Sequence, residues 1–331
     1  MTDLAPVLNP HLIGHGEAMR QVTEAFASGR MHHAWLIAGA EGIGKATLAY
    51  HIANHVLSSG QNPLGRIDLQ HRITKLVMAE AHPDMLVIRR TVDDKTGELR
   101  NVIIVEDALK VAAFLRRTSA HGGWRIVILD EAHTLNRNGQ NAILKILEEP
   151  PTRALILMTA TTPGALLPTI RSRSRLLQLA PLDEAHMKTI LAQSAPNLSE
   201  DELAQLVKLS GGSIGFALKI IGTETLPLYE GMIALLREMP KLDIARLHTL
   251  ADQIGRKADA EKFDVITTLL MNHLHEEILS DAQNATKPPS FGNRLQLLDK
   301  IRATFASADH ANLDRKLAFI NAVSDIRNAM N

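Results

Sequence analysis

Apolar and polar positions follow two different rhythms along this 331-residue chain, and the rhythm changes near residue 180. Before that point, short continuous apolar runs recur at Trp35–Ala38, Met85–Ile88, Val102–Val105, Ile126–Leu129 and Ala154–Thr159. Runs of this length without alternation read as strands buried on both faces. Helical periods separate them. Glu17–Ser28 places Met19, Val22, Ala25 and Phe26 on one face, Thr47–Leu57 forms a second helix, and Glu106–Arg117 offers Leu109, Ala112, Ala113 and Leu115 for burial. Asn138–Glu149 forms another helix, stopped by Pro150-Pro151. Pro6–Gly16 reads as an irregular lead-in, Ser58–Arg66 as a loop, residues 93–97 as a turn, and Gly122-Gly123 as a break. Strands alternating with helices predict a parallel sheet covered by helices on both faces.

Gln178–Leu182 marks a boundary, beyond which every predicted element is a helix. Asp183–Gln193 is the first, and Ser199 with Glu202 forms a capping box that opens the next. Gly211-Gly212 interrupts the chain before Ile214–Ile221. Farther on, Phe263, Ile266, Leu270, Leu274 and Ile278 share one helical face, and Leu313, Leu317, Ile320 and Val323 share another, with 287–290 as a loop between helices. Such stripes are most often bundle core and less often a partner surface. The expected organisation is an α/β domain over residues 1–180, a three-helix unit over 181–224 and a helical domain over 225–331.

Composition narrows the class. The 36 basic and 36 acidic residues balance, so any nucleic-acid contact must be local and not a property of the whole surface. Apolar residues make up 45% of the chain and aromatics only 3%, which fits a globular protein packed with aliphatic side chains. The absence of cysteine excludes disulfides and thiolate zinc sites, and a cytoplasmic location is expected. No apolar run approaches a membrane span and no signal pattern opens the chain, so no membrane partner is expected.

Candidate chemistry lies at the ends of the predicted strands. Gly39-Ala40-Glu41-Gly42-Ile43-Gly44-Lys45 joins the first strand to a helix, the context in which backbone N–H groups cradle phosphates and Lys45 reaches the outer ones. Asp130-Glu131 ends the strand Ile126–Leu129, placed to hold hydrated magnesium and orient a water. Thr159, at the end of the next strand, completes the candidate nucleotide set of Gly39, Gly42, Gly44, Lys45, Ala46, Thr47, Asp130, Glu131 and Thr159. One position is wrong for a nucleotide hydrolase. Ala46 stands where Ser or Thr supplies a magnesium ligand, and Thr47 lies about 100° further round the helix. Arg171, Arg173 and Arg175 at alternate positions suggest contact with an external anion, although by spacing alone a solvated edge is the favoured reading. His51 and His55 have metal-ligand spacing, but Ile52 replaces the glutamate of the zinc-protease pattern, so both read as ordinary helix residues.

Several of these segments resemble the delta-prime family of bacterial DNA polymerase III clamp-loader subunits, within the AAA+ superfamily. Asn141-Ala142-Ile143-Leu144-Lys145-Ile146-Leu147-Glu148-Glu149-Pro150-Pro151 is similar to the segment after the family's Walker B strand. Ile170-Arg171-Ser172-Arg173-Ser174 is similar to its Ser-Arg-Cys motif, with Ser174 in place of the cysteine. Leu12-Ile13-Gly14-His15 and His33-Ala34-Trp35-Leu36 resemble its N-terminal segments. The resemblance covers residues 10–180 well, the three-helix unit less so, and the last domain in architecture alone. It implies an α/β RecA-like AAA+ domain, an all-α three-helix lid and an all-α collar.

By that resemblance the chain would be a non-catalytic stator that helps load a sliding clamp onto primed DNA, with Arg173 acting in trans as an arginine finger on a neighbouring motor subunit. Its implied partners are gamma/tau motor subunits and delta in a hetero-pentameric ring, with the clamp met indirectly and primer-template DNA met as part of the complex. Gly212-Ser213-Ile214-Gly215-Phe216-Ala217-Leu218 resembles the lid motif, but Phe216 stands where motor subunits carry arginine. ATP and magnesium could still bind at Lys45, with own turnover expected to be absent or very weak, and no zinc is expected. The alternative is an active gamma/tau-like AAA+ motor; residues 46 and 216 argue against it.

Overall fold

The structure, a computed structural model, describes residues 6–93, 97, 99–120, 122–256, 259–283, 291–310 and 314–330. Most of the turn expected over 93–97, the 287–290 loop and Leu313 lie outside the described residues. Contacts divide the chain into two compact units, Met1–Gly215 and Phe216–Asn331. No helix among the described residues is long and apolar enough to cross a membrane.

The first unit is built on a parallel sheet of β1 (Ala34–Ala38), β2 (Met85–Ile88), β3 (Arg125–Leu129), β4 (Ala154–Ala160) and β5 (Arg175–Gln178), in the order β2-β3-β4-β1-β5. Alternation of side chains across the pleat divides its core in two. Trp35, Ile37, Ile126, Ile128, Leu155 and Leu157 face one layer, with α1 (Gly16–Ala27) and α2 (Lys45–Leu57). Leu36, Val127, Leu129, Ile156 and Met158 face the other, with α4 (Val105–Leu115), α5 (Arg137–Glu148) and α6 (Pro168–Ser172). Burial on both sides explains why these strands read as unbroken apolar runs. The RecA-like α/β arrangement expected of an AAA+ domain is therefore present.

A short helix, α3 (Arg72–Met78), was not legible in the sequence; at seven residues it is too short to show a sustained period. The strand expected over Val102–Val105 does not form. Ile103 alone bridges to Leu135, with its N–H donating to the Thr134 carbonyl, and Val105 already begins α4. The buried face of α4 is also shifted. Ala108, Val111 and Leu115 are buried against α5, whereas Leu109 is 56% exposed. Two apolar stripes run along this helix, and the packing partner decides which is covered.

Helices α7 (Glu184–Ser194) and α8 (Glu200–Ser210) follow the sheet, α8 with its predicted cap and α7 with Asp183, expected as its first residue, as its cap. Asp183 accepts from the His186 N–H, and the Ser199–Glu202 capping box is complete. Helix α9 (Ile214–Gly222) runs across the division between the units. The second unit continues with α10 (Leu226–Arg237), α11 (Ile244–Ile254), α12 (Ala260–Gln283), α13 (Phe291–His310) and α14 (Arg315–Met330). The α12 stripe is buried as expected, from Phe263 to Ile278. On α14 the expected face is only partly covered. Val323 is buried and Ile320 half-buried, but Leu317 is exposed, and Phe319, Ala322 and Ile326 complete the buried face.

Candidate nucleotide loop and finger edge

Strand β1 delivers the chain into the loop 39–45, and Gly44, at φ 102°, turns it into α2. That backbone region penalises a side chain, so the glycine is required by the turn itself. Four successive loop carbonyls, those of residues 40–43, accept hydrogen bonds. Lys45 Nζ donates to the Ala40 oxygen at 2.6 Å, Ser213 Oγ to Glu41 at 2.8 Å, the Gly215 N–H to Gly42 at 2.9 Å and His15 Nε2 to Ile43 at 2.7 Å. A Cβ on Gly215 would stand 2.7 Å from the Gly42 Cα, so this approach admits glycine alone. The loop is thereby fastened to the segment entering α9 and to the turn before α1.

Lys45 is 9% exposed. Burial pushes its pKa below the usual lysine value, while Asp130, Glu41 and Glu131 pull it back up. At the ends of β3 and β4, Thr159 Oγ1 donates to Asp130 Oδ1 at 2.6 Å and accepts from the Glu131 N–H at 2.8 Å. The structure thus gathers Lys45, Asp130, Glu131 and Thr159 at the C-terminal end of the sheet. Glu131 adopts a left-handed backbone, φ 54°, and its carboxylate accepts from Arg90 Nε at 2.6 Å. Arg90 was not singled out from sequence; its signal was an arginine just beyond β2, the strand adjoining β3. His133 Nε2 meets Thr161 Oγ1 at 2.9 Å, and burial lowers its pKa. Thr47 is buried, and Ala46 brings no oxygen to the site. A magnesium ion lacks one ligand here, and the carboxylate that would orient water is already paired; these donors do not fit a hydrolysing site.

His51 and His55 are buried on α2, where His51 Nε2 meets the Asn9 carbonyl and His55 Nδ1 the Asn62 carbonyl. No cluster of metal-ligating side chains occurs among the described residues.

Arg173 is elsewhere. It follows α6 and precedes β5, so it lies at the N-terminal edge of the sheet, about 16 Å from the loop edge for five residues of strand. Its Nη2 pairs with Glu148 Oε1 at 3.0 Å, and its Nη1 donates to the Thr169 carbonyl at 3.2 Å. The arginines at 171 and 175 differ from it. Arg171 is exposed, and Arg175 stacks over the Trp35 ring at 4.8 Å. Gln140, buried on α5, ties this region down: its amide donates to the Leu135 and Ala165 carbonyls and accepts from the Leu167 N–H at 2.7 Å.

A family model described as "DNA polymerase III, delta subunit" matches residues 14–183. DNA polymerase III subunit delta' of Escherichia coli (strain K12) is 30% identical over 77% of this chain and 73% of its own length. The subunit of the same name from Pseudomonas aeruginosa is 35% identical over 55% of this chain and 53% of its own. Among solved structures, a gamma subunit-related protein of DNA polymerase III from Thermotoga maritima covers 94% of this chain and 100% of its own, at 19% identity and a TM-score of 0.50, a likeness of fold. A strand-ending acidic pair, a lysine-bearing phosphate loop and an arginine at the opposite sheet edge therefore sit in a chain that belongs to the delta-prime family of DNA polymerase III clamp-loader subunits.

Proposed function

We propose that this clamp-loader subunit is a stator, which contributes Arg173 to the ATP site of a neighbouring motor subunit and does not turn over nucleotide itself. The observation that carries this reading is the position of Arg173. It lies at the sheet edge away from the chain's own loop, with its guanidinium exposed enough to meet another molecule. A guanidinium brought to a neighbour's γ-phosphate stabilises the negative charge that develops there as the phosphoryl group transfers, an effect of roughly 10³–10⁵ in rate in other systems. At its own loop, Ala46 supplies no magnesium ligand and Glu131 is held by Arg90.

In this reading the chain occupies one position of a cytoplasmic five-subunit ring with gamma/tau and delta. The ring opens the sliding clamp, and primer-template DNA triggers hydrolysis in the motors. Residues 1–180, 181–224 and 225–331 act as AAA+ domain, lid and collar. The grouping of Lys45, Asp130 and Thr159 favours one addition, that ATP binds the loop without productive turnover.

The test is clamp- and DNA-stimulated ATPase of the reconstituted loader with Arg173→Ala. A loss of roughly 10³-fold or more at the adjoining motor site is expected, with assembly intact by gel filtration. Unchanged hydrolysis in an assembled complex would refute the finger role. ATP turnover by the purified chain, abolished by Lys45→Ala, would refute the stator role.

A further inference from the structure

We propose that Glu148 is the positioning residue for Arg173, orienting its guanidinium before a neighbour's phosphate arrives; this rests on the finger reading above. Glu148 is the last residue of α5, where a carboxylate opposes the negative end of the helix dipole. The helix itself gains nothing from an acid there, but Arg173 does. Glu148 Oε1 takes Nη2 at 3.0 Å while the Thr169 carbonyl takes Nη1 at 3.2 Å. Two acceptors on two different nitrogens fix the plane of the guanidinium as well as its position.

The same helix also fixes the backbone beneath the arginine. Gln140 of α5 accepts from Leu167, the residue that caps α6, and α6 ends at Ser172. Arg173 is therefore held at its base and at its tip by one helix. The side chains of Arg173 and Glu148 remain 37% and 49% exposed, so the pair is loose enough to yield to a phosphate. Without Glu148 the arginine samples other rotamers, and the cost of ordering it falls on the transition state at the neighbour's site.

The experiment compares Glu148→Ala, Glu148→Gln, Arg173→Ala and the double variant Glu148→Ala/Arg173→Ala in the reconstituted loader, each checked for incorporation by gel filtration. Glu148→Ala is expected to lower stimulated kcat about two- to fivefold, the range an exposed ion pair supports. KM for ATP and the DNA concentration for half-stimulation stay unchanged. Glu148→Gln, which keeps an acceptor, recovers part of the loss. The double variant matches Arg173→Ala, because Glu148 acts only through that side chain. Wild-type kcat in Glu148→Ala beside a defective Arg173→Ala would overturn this inference and leave the finger role standing. So would a double variant worse than Arg173→Ala. An inert Arg173→Ala would overturn the finger role and this inference with it.

Discussion

The two edges of the sheet are built on opposite terms. At the C-terminal edge, the chain satisfies its own polar groups: Lys45 on Ala40, Asp130 on Thr159, Glu131 on Arg90, and the loop carbonyls on His15, Ser213 and Gly215. At the N-terminal edge, the side chains of Arg173 and Glu148 stay partly in solvent and, among the described residues, hold each other and the Thr169 carbonyl. At the first edge the charged groups are held by the chain's own atoms, although His133 Nδ1 is buried there without a partner. An edge with a charged group lightly held is the one prepared to meet another molecule.

Substitutions at the two edges should fail in different ways. Arg173→Ala should have the largest effect, roughly 10³-fold on the adjoining motor's hydrolysis, with no change in the thermal melting of the isolated chain. The closed edge should respond in stability instead. His51, on α2 against the Asn9 carbonyl, is buried with its pKa pushed down to about 4, chiefly by burial. An unfolded histidine takes its proton near 6.5, so the neutral form is favoured in the fold. Stability should be full above pH 6.5 and fall as the pH drops towards 4, by about 3 kcal/mol from this one group. Denaturation at several pH values should show that slope reduced in His51→Gln.

Gly215→Ala should cost about 1–3 kcal/mol by urea unfolding, since the new methyl meets the Gly42 backbone. Ala46→Thr is the attempt to reopen the closed edge. It should tighten Mg-ATP binding by calorimetry but leave turnover at background, because Arg90 still holds Glu131. Turnover in that variant would collapse the contrast between the edges. The smallest effect is at the capping box of α8, where Ser199→Ala should lower stability by about 1 kcal/mol.

Much of this arrangement was legible. Unbroken apolar runs placed the central strands, and the glycine spacing and Asp130-Glu131 marked the loop edge, because these features are local. What escaped depends on distant partners. Leu109 and Val111 are equally apolar, and only α5 decides which is buried. Val102–Val105 has strand composition, but Ile103 finds a single bridging partner. Arg90 became part of the site only through the pairing of β2 with β3, and Glu148 became the partner of Arg173 only once α5 was seen to end at the same edge.

The close approach of Gly215 to Gly42 has a consequence for reading such motifs. In the reading proposed above, the loop meets two separate demands, room around a phosphate and room for Gly215 against Gly42. Relaxing the first leaves the second in force. A lineage that ceased to burn nucleotide would therefore keep the spelling of the motif long after its first meaning had lapsed, and under the proposed stator role Ala46, next door, is the residue that would record the change.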